Sequence, residues 1–344
     1  MVFFDTHCDT VGKVLDGRLD FRSGEGEAHV SLDRLRAAGV RAQVFACFVL
    51  SELAPGRERE TADRMVETLH TMAATSDGAL RVATTGHDVR DAFGDGPIAM
   101  LIGLEGGDPL EGDADRLRDF HRSGVRIVIP AWQDNAFSGT AFGTDTCLTD
   151  EGRKLVALAE ELRVLVDVSH LSDSAFADVC HLAGSPFMAS HSNCRALCPT
   201  LRNLTNGMIR ELADRGGVMG INLASGFLDP AFLEQEKSLR NRRPSNGGTP
   251  EAMEAYRAVV AGLPRPDPAW VARHVCHAID TGGEECVGLG GDLDGVTSTP
   301  LGIDGVEDYP KLVDLLQQAG LSSSQIEKVC WRNFERLFTA VLPD

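Results

Sequence analysis

Short apolar runs that end in His, Asp or Glu recur from one end of this chain to the other. The first is Phe3-Phe4-Asp5-Thr6-His7-Cys8-Asp9. Later come Leu101-Ile102-Gly103-Leu104-Glu105, Val166-Asp167-Val168-Ser169-His170, Phe187-Met188-Ala189-Ser190-His191 and Leu289-Gly290-Gly291-Asp292. Each reads as a buried strand that stops at a polar group suited to metal or proton chemistry. Strands of a parallel barrel all aim their C-terminal ends at one face, so groups placed there converge. The pattern therefore constrains fold and chemistry together.

Eight segments read as strands: residues 2–5, 40–49, 98–104, 125–130, 165–168, 187–189, 218–221 and 287–289. Between most of them lie helical patterns. Met65, Leu69 and Met72 recur at helical spacing over residues 57–74, and Leu155, Leu158 and Leu162 over 151–162, behind the capping residues Thr149 and Asp150. Residues 172–182 and 206–215 follow the same rule. Strand–helix alternation through the whole chain implies an α/β fold with a parallel sheet, and eight strands favour closure into a (β/α)8 TIM barrel. The 344 residues read as one such domain. A charged, Pro- and Gly-rich stretch at about 228–268 is too long for a plain connection and reads as an insertion at the active-site face. Residues 310–344 read as a helical tail, with two helices over 310–338. Neither GxGxxG after the first strand nor GxxxxGK[ST] is present, which removes the usual support for nucleotide binding.

The charge balance narrows the partners. Against 33 Lys and Arg stand 51 Asp and Glu, a formal charge of −18. Nucleic acid and anionic membrane surfaces are disfavoured, because both are bound through clustered cations. The nine cysteines are scattered without a framework and read as small core residues of a reducing compartment. No leader pattern precedes His7, and no apolar run reaches membrane-span length, so a cytoplasmic location is expected.

The chemistry-bearing residues follow from position. His7 and Asp9 are spaced i, i+2, which on an extended backbone points both to one side. Glu105 offers two oxygens and can bridge two ions. His170 and His191 can complete a second site as neutral imidazoles; two His with carboxylates and an open water position is a catalytic zinc pattern. Asp292 and Asp294 follow the last strand. Asp292 is the candidate proton carrier and Asp294 better suits a turn cap. Arg202, in a loop after the sixth strand, can clamp a carboxylate in two-point fashion. His29, His70, His87, His121, His181, His274 and His277 lie in helices or loops and read as structural or exposed.

These residues carry a resemblance to the membrane (renal) dipeptidase family, the M19 zinc peptidases of the amidohydrolase-like barrels. His7-Cys8-Asp9 matches the family's HxD, Gly103-Leu104-Glu105-Gly106-Gly107 its GxEGG, and Asp167-Val168-Ser169-His170 its DVSH. Ala189-Ser190-His191-Ser192 matches ASHS, Arg202-Asn203-Leu204-Thr205 matches RNLT, and residues 288–295 match GxGxDFDG. Order and spacing agree over essentially the whole chain.

The resemblance implies a cofactor of two Zn2+ per chain. His7 and Asp9 would hold one, His170 and His191 the other, and Glu105 would bridge. It implies hydrolysis of small dipeptides by metal-activated water, with a D-residue often tolerated at the C-terminal position. Asp292 would shuttle the proton and Arg202 would bind the terminal carboxylate. A homodimer is suggested by family likeness alone. One departure bears on substrate: Trp132 stands where relatives carry a substrate-contacting His, in the run Ala131-Trp132-Gln133-Asp134-Asn135. Trp132 and Asn135 are therefore candidate substrate contacts. A second departure is Asn222-Leu-Ala-Ser-Gly-Phe227, where some relatives carry a Tyr. A metal-dependent barrel hydrolase of another small amide, lactone or ester is the alternative reading.

Overall fold

The computed structural model describes residues 1–239 and 250–344. Nine strands form one wholly parallel sheet: β1 (Phe3–Cys8), β2 (Val40–Phe48), β3 (Leu80–Val82), β4 (Ile98–Glu105), β5 (Val125–Ile129), β6 (Leu165–Val166), β7 (Met188–Ala189), β8 (Val218–Ile221) and β9 (Val287–Leu289). The strand order is β6-β5-β4-β2-β1-β9-β8-β7. A parallel bridge from Asp167 to Met188 brings the two ends together, supported by Val168 N–H donating to Met188 O at 2.8 Å. The result is an eight-stranded, nearly closed TIM barrel, as the strand-end pattern predicts.

The strand missed by the sequence reading is β3. It pairs only with the first half of β4, Leu80 opposite Ile98 and Val82 opposite Met100, while β5 takes the second half. It therefore lies outside the ring. Three residues carry too little periodicity to register as a strand.

The helices form where the apolar spacing places them. Glu58–Ala74 buries Met65, Leu69 and Met72. Asp150–Glu161 starts at Thr149, whose hydroxyl accepts the Gly152 N–H at 3.0 Å, and Asp173–Leu182 starts at Ser172 in the same way. Asn206–Asp214 is capped by Thr205. Of the expected insertion, Pro230–Ser238 and Pro250–Ala261 are helical, and 240–249 falls outside the described residues. Among the described residues, no helix is long and apolar enough to cross a membrane.

The lower half of the barrel is filled by Phe4, Val44, Leu101, Ile127, Leu165, Met188 and Val218. The tail closes this end. It comprises helices Tyr309–Gln318 and Ser323–Glu327, a five-residue π-turn at Lys328–Arg332 and helix Asn333–Val341, more broken than the two helices expected. Phe338 and Phe334 lie 5.0 and 5.8 Å from the Phe4 ring. Burying each phenyl group contributes about 1.5–3 kcal/mol. Gly288 of β9 makes the entry possible, since a Cβ there would stand 2.5 Å from the Phe334 ring.

Gly288→Ala should therefore overpack this end and destabilise the fold by about 1–3 kcal/mol. Urea denaturation followed by circular dichroism measures it. An unchanged midpoint would show that the Phe334 helix is not seated in the barrel mouth.

Candidate active site

At the opposite end of the barrel three imidazoles and three carboxylates meet. His7 Nε2 lies 3.1 Å from Glu105 Oε2 and 3.6 Å from Asp9 Oδ2. His170 Nε2 lies 2.9 Å from Glu105 Oε1, and His191 Nε2 3.6 Å from the same oxygen. His170 and His191 bring their Nε2 atoms to 2.9 Å, and the His7 and His191 rings stack at 3.7 Å. Ligand atoms lie within 4.8 Å of one another in three groups: His7, Asp9 and Glu105; Glu105, His170 and His191; His7, His191 and Asp292. Glu105 belongs to two of these, as a bridging carboxylate would.

Local backbone features produce this convergence. In β1, Thr6 and His7 stand opposite the single residue Val44, so the strand bulges where the ligand leaves it. Asp9 has φ −98° and ψ 19°, so the strand has ended there. The i, i+2 argument from an extended strand thus gives the right neighbours for the wrong reason: the bulge and the turn bring Asp9 to His7. His170 and Asp292 have φ of 72° and 56°, left-handed conformations that non-glycine residues rarely adopt. Gly295 leaves room for the acids, because a Cβ there would sit 2.1 Å from Asp9 Oδ2 and 2.4 Å from Asp292 Oδ1.

Burial and mutual charge set the protonation states. Burial opposes charge on His7, but Glu105 and Asp9 outweigh it and hold the His7 pKa well above its ordinary value. Burial likewise works against the Glu105 carboxylate, yet His7 and His170 keep it below the usual carboxylate range. His170 is pushed down to about 4 by burial and by Arg202, and His191 falls well below its ordinary value for the same reasons plus the His7 charge. Asp292 is raised to about 8, chiefly by burial, with Asp9 and Glu105 adding to the effect while His7 and the Asn222 bond oppose it.

The donor set fits divalent cations. His7 Nε2 is buried and makes no hydrogen bond, although carboxylates surround it. His170 and His191 are held neutral with their Nε2 atoms inward. The Ser190 hydroxyl lies 2.6 Å from His191 Nδ1, an outer partner that fixes ring orientation.

Arg202 is 2% exposed, and its Nη1 donates to Ser192 Oγ at 2.7 Å. Its Nε and Nη2 are buried without partners. These two atoms form the edge of a guanidinium that grips a carboxylate at two points. Trp132 is half-buried, 6.0 Å from the His170 ring and 4.8 Å from Phe48. Asn135 is not brought into the cluster. Its amide donates to Asp108 Oδ2 and Pro130 O and accepts from Phe137 and Ser138, which uses its full capacity. Asn222, which the sequence reading noted only for what it replaces, donates to Asp292 Oδ2 at 2.8 Å. Asp294, expected as a turn cap, instead ties its turn to distant residues, accepting from the Thr10 hydroxyl, the Lys13 ammonium and the His29 N–H.

Comparison with known proteins identifies the family. A family model described as membrane dipeptidase (peptidase family M19) matches residues 1–342. An uncharacterised Klebsiella pneumoniae protein from the 5′ region of pqqA is 31% identical over 83% of this chain and 98% of its own length. Human dipeptidase 3 is 27% identical over 90% of this chain, and the match spans 58% of the human protein. Among solved structures, dipeptidase AC, a metallopeptidase of family M19, superposes with a TM-score of 0.86 at 28% identity, over 100% of this chain and 99% of its own. A metallopeptidase from Rhodobacter sphaeroides, liganded with a phosphinate mimic of the dipeptide L-Ala-D-Ala, gives 0.84 at 27% identity over 99% of both chains. The chain belongs to the membrane dipeptidase family, peptidase family M19.

Proposed function

We propose that the protein is a binuclear zinc dipeptidase that hydrolyses small dipeptides of the L-Xaa-L-Xaa or L-Xaa-D-Xaa type. The observation that carries this reading is the pairing of two ligand groups sharing Glu105 with a buried Arg202 whose carboxylate-gripping edge is free. His7, Asp9 and Glu105 would hold one ion, and Glu105, His170 and His191 the other. Imidazole and carboxylate ligands suit zinc. Ions bound there supply Lewis-acid polarisation of the scissile carbonyl and a water acidified toward neutral pH.

The chain's own residues do the rest. Arg202 takes the terminal carboxylate. A longer peptide would put a neutral amide there and leave a buried charge unmatched, which is costly. Asp292, held on Asn222, is the proton carrier: cations bound among the neighbouring carboxylates would favour its ionised form, which would take the proton of the attacking water and deliver it to the leaving nitrogen. Trp132 can offer the substrate one neutral N–H donor and no cation. The phosphinate mimic held by the similar Rhodobacter protein supports the substrate class.

A panel of L-Xaa-L-Xaa and L-Xaa-D-Xaa dipeptides, assayed with metal counted on the same sample, tests the reading. About two metals per chain and turnover are expected, with kcat falling roughly 10²–10⁴-fold in Asp292→Asn. Two metals without turnover of any dipeptide would shift the assignment to another small amide or ester. Arg202→Lys keeps the charge but loses the fork, so KM should rise about 10- to 100-fold with a smaller effect on kcat; an unchanged KM would remove Arg202 from the substrate.

Metal affinity should also depend on pH. The metal-free chain holds a proton on His7 at neutral pH, while a coordinating imidazole must be neutral. Loading must expel that proton, so apparent affinity should rise about tenfold per pH unit for each proton released. Titration calorimetry in buffers of different ionisation enthalpy reads the proton count, and a count of zero at pH 7 would contradict the assignment of His7 as ligand.

A further inference from the structure

We propose that Phe227 and Phe142 form the recognition surface for the side chain of the substrate's C-terminal residue, so that the preferred dipeptides carry a large apolar or aromatic residue there. This rests on the dipeptidase reading and adds to it the substrate class.

The two rings stand beside the guanidinium that can grip a carboxylate. The Arg202 guanidinium carbon lies 5.8 Å from the centre of the Phe227 ring, within cation–π range. The Phe142 ring lies 6.2 Å from the Phe227 ring, tilted by 38°. In an amino acid the carboxylate and the side chain leave the same Cα. Bonds of about 1.5 Å put Cγ roughly 3–4 Å from the carboxylate carbon. A residue gripped by Arg202 thus carries its side chain at the height of Phe227, and a long one reaches Phe142.

Phe142 has no core role to explain it. It is 63% exposed, among the most exposed large apolar side chains described. Yet its loop is firmly braced. The Asp134 carboxylate accepts bonds from the backbone and hydroxyl of Thr140 and of Thr144, on both sides of Phe142, at 2.5–2.8 Å. Ala141 N–H donates to the His170 carbonyl at 2.8 Å, tying the same loop to a metal-ligand candidate. Phe227 is tied to the Arg202 loop, since Asn203 Nδ2 donates to the Phe227 carbonyl at 2.9 Å. An exposed aromatic ring on a pre-ordered loop binds with little further ordering. Charge agrees with an apolar guest. A basic side chain would sit beside Arg202, and an acidic one would meet the negative faces of the rings.

The test is kcat/KM for L-Ala-Xaa on the metal-loaded full chain, with Gly, Leu, Phe, Asp and Lys as the second residue. Wild type is compared with Phe142→Ala and Phe142→Leu. Leu and Phe should exceed Gly by about tenfold or more. The Phe-to-Gly ratio should fall at least about fivefold in Phe142→Ala and recover in large part in Phe142→Leu, which also serves if the alanine variant folds poorly. Equal rates for Gly and Phe, a preference for Asp or Lys, or an apolar preference unmoved by Phe142→Ala would overturn this inference and leave the dipeptidase reading standing. Absence of turnover on every dipeptide would overturn both.

Discussion

The buried carboxylate of Glu105 is the charge around which the active site is arranged. It lies at the end of β4 with one oxygen toward His7 and the other toward His170 and His191. Not all of its neighbours attract one another. The His7 and His191 rings stack, and Asp9 and Glu105 work against the Asp292 carboxylate. Groups of this kind would separate in a mobile chain. They stay together because they are fixed to the ends of five barrel strands, His7 and Asp9 on β1 and the others on β4, β6, β7 and β9, and the barrel cannot let one move alone.

The strands are in turn braced by two buried acids that lie outside the cluster, Asp5 and Asp167. Asp5 Oδ1 accepts the backbone N–H groups of His7 and Gly291, each at 3.0 Å, and Oδ2 is bonded by the Tyr309 hydroxyl. One side chain thus sets the backbone just before two functional residues and ties both to the tail. Asp167 acts likewise across the β6–β7 seam, where the backbone ladder is a single bridge. Its Oδ1 accepts the N–H groups of Ser169 and Ser190, which immediately precede His170 and His191. Where the ladder is thinnest, a side chain replaces it, and it does so directly beneath His170 and His191.

Much of this is legible in the sequence, for a physical reason. Core strands must be apolar and ligands must follow them, so Phe3–Cys8, Ile98–Glu105 and Val287–Leu289 announce both strand and site. Glu105, His170, His191 and Asp292 could be named from position alone. What pattern does not reveal is backbone geometry that opposes local preference. The bulge at Thr6 and His7 and the left-handed residues His170 and Asp292 have no periodic signature. Asn135 shows the complementary failure. Its place near the site is legible, but whether a short amide faces substrate or its own loop depends on hydrogen bonds that only the folded loop defines. The meeting of Phe142 with Phe227 is invisible in the same way, because 85 positions separate them.

The left-handed backbone at His170 and Asp292 costs of order 1–3 kcal/mol per residue. Such strain persists only where the surroundings over-determine the chain, as Asp167 does through the Ser169 N–H just before His170 and Asn222 does on the Asp292 carboxylate. His274 is a further buried strut. Burial pushes its pKa down to about 4, so it is a neutral ring at ordinary pH. Its Nδ1 accepts the Cys194 N–H at 3.1 Å, and its Nε2 therefore carries the hydrogen shared with the Leu228 carbonyl at 2.9 Å. One imidazole thereby joins the loop that begins at His191 and carries Arg202 to the short helix Ser225–Leu228 that carries Phe227. With Asn203 bridging the same two segments, the buried Arg202 guanidinium and the Phe227 ring beside it are held as one body. A helix residue remote from the His and carboxylate cluster thus helps to fix their relative placement.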